Sequence, residues 1–306
     1  MADLILHHYD TSPYAEKIRL VMGIKGLAWK SVKIPVIMPK PELIPLTGGY
    51  RRTPVLQIGA DIYCDTERIA VELERRFPKP TLYPTGGEGL AAIIGNWVAG
   101  SVFYPSVRYA LGVNADQMPM EFHKDRAAMR GQEPNVEATK RAAPKMHNRL
   151  RAELEWLESL LGDGRPYLLG EKAGLADCSV FHCVWFVRRW GPPVAQAMEP
   201  YTRLKAWMGR MDAIGHGKPT EMTAAEALDI AKGSAPTAEP HPDPADAEGF
   251  SPGDTISVTA EDTGRDPVTG TLVRLSANEV AVRRSDPRVG EVVVYFPRVG
   301  YDLRRA

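Results

Sequence analysis

The chain has 306 residues, 44% hydrophobic and 25% charged, with 38 basic side chains balanced by 38 acidic ones. A zero net charge leaves no field to gather nucleic acid or an anionic membrane, and three cysteines are too few for a disulfide framework. The length allows two or three cores, no continuous apolar run approaches membrane length, and the first residues are unlike a signal peptide, so the cytoplasm is the expected compartment.

The first predicted strand covers Asp3 to His8, with Leu4, Ile5 and Leu6 apolar. Ser12 then offers a helix N-cap, and Pro13 suits the first helical position, where no N–H is needed. Apolar residues recur at helical spacing through Ile18, Met22 and Leu27, and a Gly23 to Gly26 stretch ends the run. A hydroxyl at a helix mouth sits in positive potential beside free N–H groups, so it can donate to a thiolate and lower a thiol's pKa. An isolated Ser-Pro would read as a cap and nothing more.

A second strand over Trp29 to Ile34 leads into a loop rich in Pro and Gly. Arg51-Arg52-Thr53-Pro54 then opens a hairpin of Val55 to Ile58 and Ile62 to Cys64, turning at Gly59-Ala60-Asp61. Proline at a strand mouth belongs at an edge. If its bond is cis, the backbone of the preceding residue can pair with a bound peptide as an added strand. Asp65-Thr66 opens the next helix, which carries Ile69, Leu73 and Phe77. Its free N–H groups and the Thr66 hydroxyl suit a carboxylate, and Asp65 suits an ammonium.

The order strand, Ser12-Pro13-Tyr14, helix, strand, loop, Thr53-Pro54-Val55, hairpin, Asp65-Thr66, helix resembles the thioredoxin-like N-terminal domain of the glutathione transferase superfamily. Ser-Pro-Tyr is similar to the tau and omega style of that motif. The resemblance implies that Ser12 activates the thiol of glutathione, with Tyr9 at the end of the first strand as the other candidate. It implies that Thr53-Pro54 pairs with the cysteinyl backbone, that Asp65-Thr66 holds the γ-glutamyl end, and that Arg51 or Arg52 reaches the glycyl carboxylate.

From Glu88 to Lys232 the pattern is helical. Ala91 to Val113 is a long apolar-periodic stretch that Pro105 should kink or break, and Arg149 to Leu161 is amphipathic. Gly170 to Asp177 resembles the superfamily's Gly-x-x-x-Ser/Thr-x-Ala-Asp capping motif, with Gly174 in place of the Ser/Thr. Cys178, His182 and Cys183 sit among Val180, Phe181 and Trp185, which reads as buried helix and not as a metal site. Gly233 to Glu248 is rich in Pro, Ala, Asp and Glu and reads as a linker. Phe250 to Ala306 then alternates in four or five short strands, which predicts a small SH3-like β-barrel.

The expected organisation is therefore a thioredoxin-like glutathione-binding domain at 1–83, an all-helical substrate domain at 86–232, a linker at 233–248 and a β-barrel module at 249–306. Residues 1–232 are expected to fold without the module. The resemblance implies a cytoplasmic, homodimeric, detoxification-type transferase with glutathione as co-substrate and no metal. Its glutathione thiolate would attack a small, hydrophobic electrophile, by conjugation or by lyase or dehalogenase-type chemistry. The alternative is a non-catalytic glutathione-binding or scaffold protein whose β module recruits partners.

Overall fold

The computed structural model describes residues 2–306. Strand β1 (Ile5–His8) is followed by helix α1 (Pro13–Ile24) and strand β2 (Ala28–Lys33), which lies parallel to β1. A short helix α2 (Ile44–Thr47) precedes the hairpin β3 (Val55–Ile58) and β4 (Asp61–Cys64), and helix α3 (Thr66–Arg76) follows. All four residues of β1 are buried because it lies between β2 and β3 with helices over it. This is the thioredoxin-like order the sequence predicts.

Helices α4 (Gly87–Trp97) and α5 (Phe103–Val113) form one continuous helix joined by a π-helical turn at Val98–Val102. Pro105 does not break it. A proline removes one donor and crowds the carbonyl four residues back, here Ser101. The wider turn relaxes the ladder at that point, and the Ser106 hydroxyl donates to Val102 O at 2.8 Å. The joined helix is long and apolar enough to cross a membrane by length and composition, which no run in the sequence was expected to be. It packs against α7 (Val136–Leu160) and α8 (Leu175–Arg188).

Helix α6 (Met120–Ala128) precedes α7, and α9 (Thr202–Ile214) follows α8. Almost all of α8 is buried, Cys178, His182 and Cys183 included. Its first turn is organised by Asp177, whose carboxylate accepts from Gly174 N at 3.0 Å, Leu168 N at 2.8 Å and Trp207 Nε1 at 2.9 Å. The glycine at the cap position has a packing reason. A Cβ there would lie 2.7 Å from Leu82 O and 2.8 Å from Pro84 Cδ.

Contrary to an all-helical domain running to residue 232, strand β5 (Lys218–Glu221) returns to pair with β2, and helix α10 (Ala224–Lys232) that follows buries Ala227, Leu228 and Ala231 in the core around Ile5, Val32 and Val55. The C-terminal strands are β6 (Thr255–Ala260), β7 (Val268–Leu275), β8 (Glu279–Asp286), β9 (Gly290–Pro297) and β10 (Tyr301–Arg305). Their order, 10-6-7-8-9, is that of an SH3-like sheet. The module does not hang free. Strand β9 pairs in parallel with β4, Asp61 with Val293 and Tyr63 with Tyr295, so one ten-stranded sheet runs through both parts. Ile5, Val55 and Ile62 share a core with Val280, Val294 and Phe296.

The segment 233–248 connects the parts but is fastened down, contrary to the loose linker expected. Thr237 donates its N–H and hydroxyl to Asp61, at 3.1 and 2.6 Å. His241 joins β7 through Val273 O at 3.0 Å and Leu275 N at 2.8 Å, and Ala238 is buried. A polar segment with little apolar bulk was held by hydrogen bonds to partners far away in sequence, which composition does not reveal.

Candidate active site

The residues expected at the site converge on one end of the sheet through strand register. His7 pairs with Val55 in β1–β3, and Val55 with Cys64 in β3–β4. Continuing both ladders past the strand ends puts Tyr9 across from Thr53 and Pro54 across from Asp65. A turn bond from Ser12 N to Tyr9 O, 3.1 Å, brings Ser12 to the same end.

Ser12 is buried and caps α1, its Oγ accepting from Ala15 N at 3.2 Å. The cap uses one acceptor of the hydroxyl and leaves its proton free to donate. Capping and thiolate stabilisation are therefore compatible roles for one side chain. Tyr9 is half-buried, with the Lys40 ammonium 5.8 Å from its ring centre.

The Thr53–Pro54 bond is cis. Thr53's own N–H and C=O make no hydrogen bond among the described residues. An extended ligand segment can pair there. Asp65 caps α3 with φ 73°, and its carboxylate accepts from Glu67 N at 3.0 Å. Burial raises its pKa, with the Glu67 N–H opposing. Thr66, buried, is the first residue of the helix.

The two arginines have internal partners. Arg51 is ion-paired with Asp125 of α6. Arg52 is ion-paired with Asp262, and its Nε donates to Thr263 O at 2.9 Å. Arg52 also lies 5.9 Å from the Tyr301 ring centre, and the Tyr301 hydroxyl donates to Asp65 Oδ2 at 3.0 Å. The loop between β6 and β7 continues to α6, where Gly264 N donates to Met129 O at 2.7 Å. The β module thus takes up contacts on both Arg52 and Asp65.

Lys40 belongs to this cluster and was missed in the sequence. It is buried and donates to Thr53 Oγ1 and Arg51 O, both at 2.9 Å. Burial lowers its pKa to about 7, with Arg126 adding to the shift and Asp125 opposing it. It is the sole basic residue between Ile34 and Tyr50, a signal that marks it as the cation of that loop. His7 and His8 are buried away from the cluster. His7 Nε2 bonds Gln57 Oε1 at 2.8 Å, and His8 bonds Ser31 Oγ at 3.0 Å.

Family models and solved structures match this fold. Residues 6–81 match the family model for the glutathione S-transferase N-terminal domain, and residues 133–210 match that for the C-terminal domain. A solved structure of a GST-like protein from Pseudomonas syringae is 37% identical, covers 100% of both chains and superposes with a TM-score of 0.78. That match includes the β module. A glutathione S-transferase from Rhodospirillum rubrum is 20% identical, with a TM-score of 0.53 over 69% of this chain and 88% of its own. The β-etherase LigF from Sphingobium is 18% identical, with a TM-score of 0.53 over 69% and 95%. These two share the fold. No curated protein matches the sequence. With both domain models matched and a full-length relative above a third identical, the chain belongs to the glutathione S-transferase superfamily.

Proposed function

We propose that the protein binds glutathione and directs its thiolate at a small, largely hydrophobic electrophile. The observation that carries this reading is the convergence of Ser12, the unpaired Thr53 backbone and the Asp65-Thr66 helix start at one sheet end. Thr53 pairs with the cysteinyl backbone, Asp65 and Thr66 take the γ-glutamyl end, and Lys40 with Arg51 or Arg52 faces the glycyl carboxylate. The Ser12 hydroxyl donates a hydrogen bond to the sulfur, keeping its own proton, and favours the ionised thiol near neutral pH. Serine offers no sulfur for a mixed disulfide, so conjugation, lyase or dehalogenase-type chemistry ranks above thiol–disulfide exchange. A cytoplasmic homodimer with a detoxification role accompanies this reading, and three free, buried cysteines suit a reducing compartment. Retention on glutathione resin, turnover of a panel of generic electrophiles and light scattering test it together.

A second reading has its own support. Tyr301 and the Asp262–Thr263 loop hold Asp65 and Arg52, two groups a ligand would use. On this reading the module stands in for ligand contacts and the protein is a scaffold. Glutathione binding without turnover on a broad panel favours it.

A further inference from the structure

Between α5, α6 and the start of α7 lies a cavity of about 40 Å3. Three arginines line it, Arg108, Arg126 and Arg130, and no carboxylate does. Arg126 is committed elsewhere. It bonds Asp125 Oδ2 at 2.8 Å and Val36 O at 3.2 Å and lies over the Phe122 ring. Arg108 is not committed. Its guanidinium sits 5.6 Å from the Tyr104 ring centre, and its Nε is buried with no hydrogen-bond partner. Arg130 makes one long contact, 3.5 Å to Gln132 Oε1. Arg130 is exposed at the rim, where partial desolvation together with Arg108 and Arg126 pushes its pKa down, against Tyr104.

The N-terminus of α7, a helix of 25 residues, adds its positive end, since Asn135 and Thr139 also line the cavity. Guanidiniums held together without an anion repel one another, and a buried donor without an acceptor is costly. Both penalties are relieved by an oxyanion. A water needs about 10–15 Å3 of such room, so the space takes roughly three waters or one oxyanionic group. Leu111 and Phe122 provide apolar wall for what the anion is attached to.

The cavity adjoins the candidate site. Phe103 at the start of α5 packs 4.5 Å from Tyr14, two residues after Ser12. Arg126 of the cavity wall follows Asp125, the ion-pair partner of Arg51, on α6. We propose that this cavity is an anion subsite that holds one carboxylate- or phosphate-type group of the electrophilic co-substrate, so that acidic electrophiles are selected. The co-substrate clause rests on the glutathione-dependent reading above.

The test uses the full-length protein in two arms. In the first, benzoate and phenyl phosphate are titrated calorimetrically without glutathione into the parent, Arg108→Gln/Arg130→Gln and Arg108→Lys. At least one anion is expected to bind the parent, to weaken roughly tenfold or more in the double Gln variant, and to be partly restored by Lys, the scale of a charge-assisted hydrogen bond. The anion that binds more tightly identifies the group. In the second arm, kcat/KM is compared for 4-chloro-3-nitrobenzoate and 1-chloro-2,4-dinitrobenzene. The acidic-to-neutral ratio is expected to fall roughly tenfold in the double variant, through KM. No binding of either anion to the parent, or binding unchanged in a double variant that unfolds at the parent temperature, overturns the subsite. Anion binding that is lost in the double variant, with no turnover of either electrophile, keeps the subsite and overturns the enzymatic reading.

Discussion

The Tyr301 hydroxyl donates to Asp65 Oδ2 at 3.0 Å, joining the last strand of the chain to the turn that opens α3. Asp65 is therefore shared between the β module and any ligand that uses the helix start. Tyr301→Phe frees that carboxylate. Glutathione is expected to bind this variant several-fold to roughly tenfold more tightly, since a hydrogen bond to a charged group is worth about 1.5 kcal/mol or more. Asp65→Ala is expected to weaken binding by about 1.5–3 kcal/mol, and Thr66→Ala by less. Calorimetric titration of all three reads this. Equal affinity in Asp65→Ala would remove the carboxylate from the site.

Ser12→Ala is expected to leave glutathione affinity nearly intact, to raise the pKa of the bound thiol and to slow turnover with it. The lost cap should also cost the fold about 1 kcal/mol. Absorbance titration of the bound thiolate separates the two candidates. A titration unchanged in Ser12→Ala but shifted in Tyr9→Phe would give the role to Tyr9.

Lys40 makes binding pH-dependent. Its pKa near 7 leaves it mostly neutral above that pH in the free protein. A carboxylate docking beside it favours the charged form, so binding takes up protons above about pH 7 and weakens as pH rises toward about 9. Calorimetry in two buffers of different ionisation heat measures the uptake, which Lys40→Met should abolish. The effect on the fold has its own sign. The unfolded chain holds this proton up to its ordinary pKa of 10.5, so Lys40's contribution to stability rises between about pH 7 and 10.5.

His7 and His8 give the acid limb. Burial lowers His7 to about 4, against a raising bond from Gln57, and lowers His8 to about 3, with Arg19 and Lys33 adding to it. Folding keeps both neutral. Their contribution is full above pH 6.5 and is lost as pH falls toward 4, at about 1.4 kcal/mol per pH unit for each once the unfolded forms are charged. Urea denaturation across that range checks it. A flat profile between pH 7 and 5 would contradict the burial of these rings.

Removing the module after Lys232 is expected to give an aggregating or strongly destabilised protein, not the independent unit anticipated from composition. The cut exposes the backbone edge of β4 and the apolar residues Val55 and Ile62 that face Val294 and Phe296. Solubility and light scattering of residues 1–232 decide the matter. A soluble, cooperative truncation would mean that the shared core contributes little.

What was legible in the sequence is local chemistry. Ser12-Pro13 at a helix start, a proline at the mouth of β3 and Asp65 at the next helix start are written in neighbouring residues, as are the turns that divide the module into strands. What was not legible joins distant residues. The contacts that Arg52 makes with Asp262 and Thr263 were hidden, because these lie 210 and 211 positions beyond it along the chain but beside it in space. Gly174 departed from its motif because Leu82 O and Pro84 come close, not because the cap was dispensable. Lys40 stood in a proline-rich loop with no periodicity to mark which way it faced.

The continuous sheet carries a consequence for how the chain is made. β4 emerges early in synthesis, yet its parallel partner β9 follows only after the whole helical domain. Parallel pairing across so long an intervening chain is entropically slow to close, and an unpaired edge meanwhile is open to other chains. The N-terminal strands should therefore stay incomplete until β9 has been made. Slow expression or chaperone supply, more than any change to the site, should decide the yield of native protein.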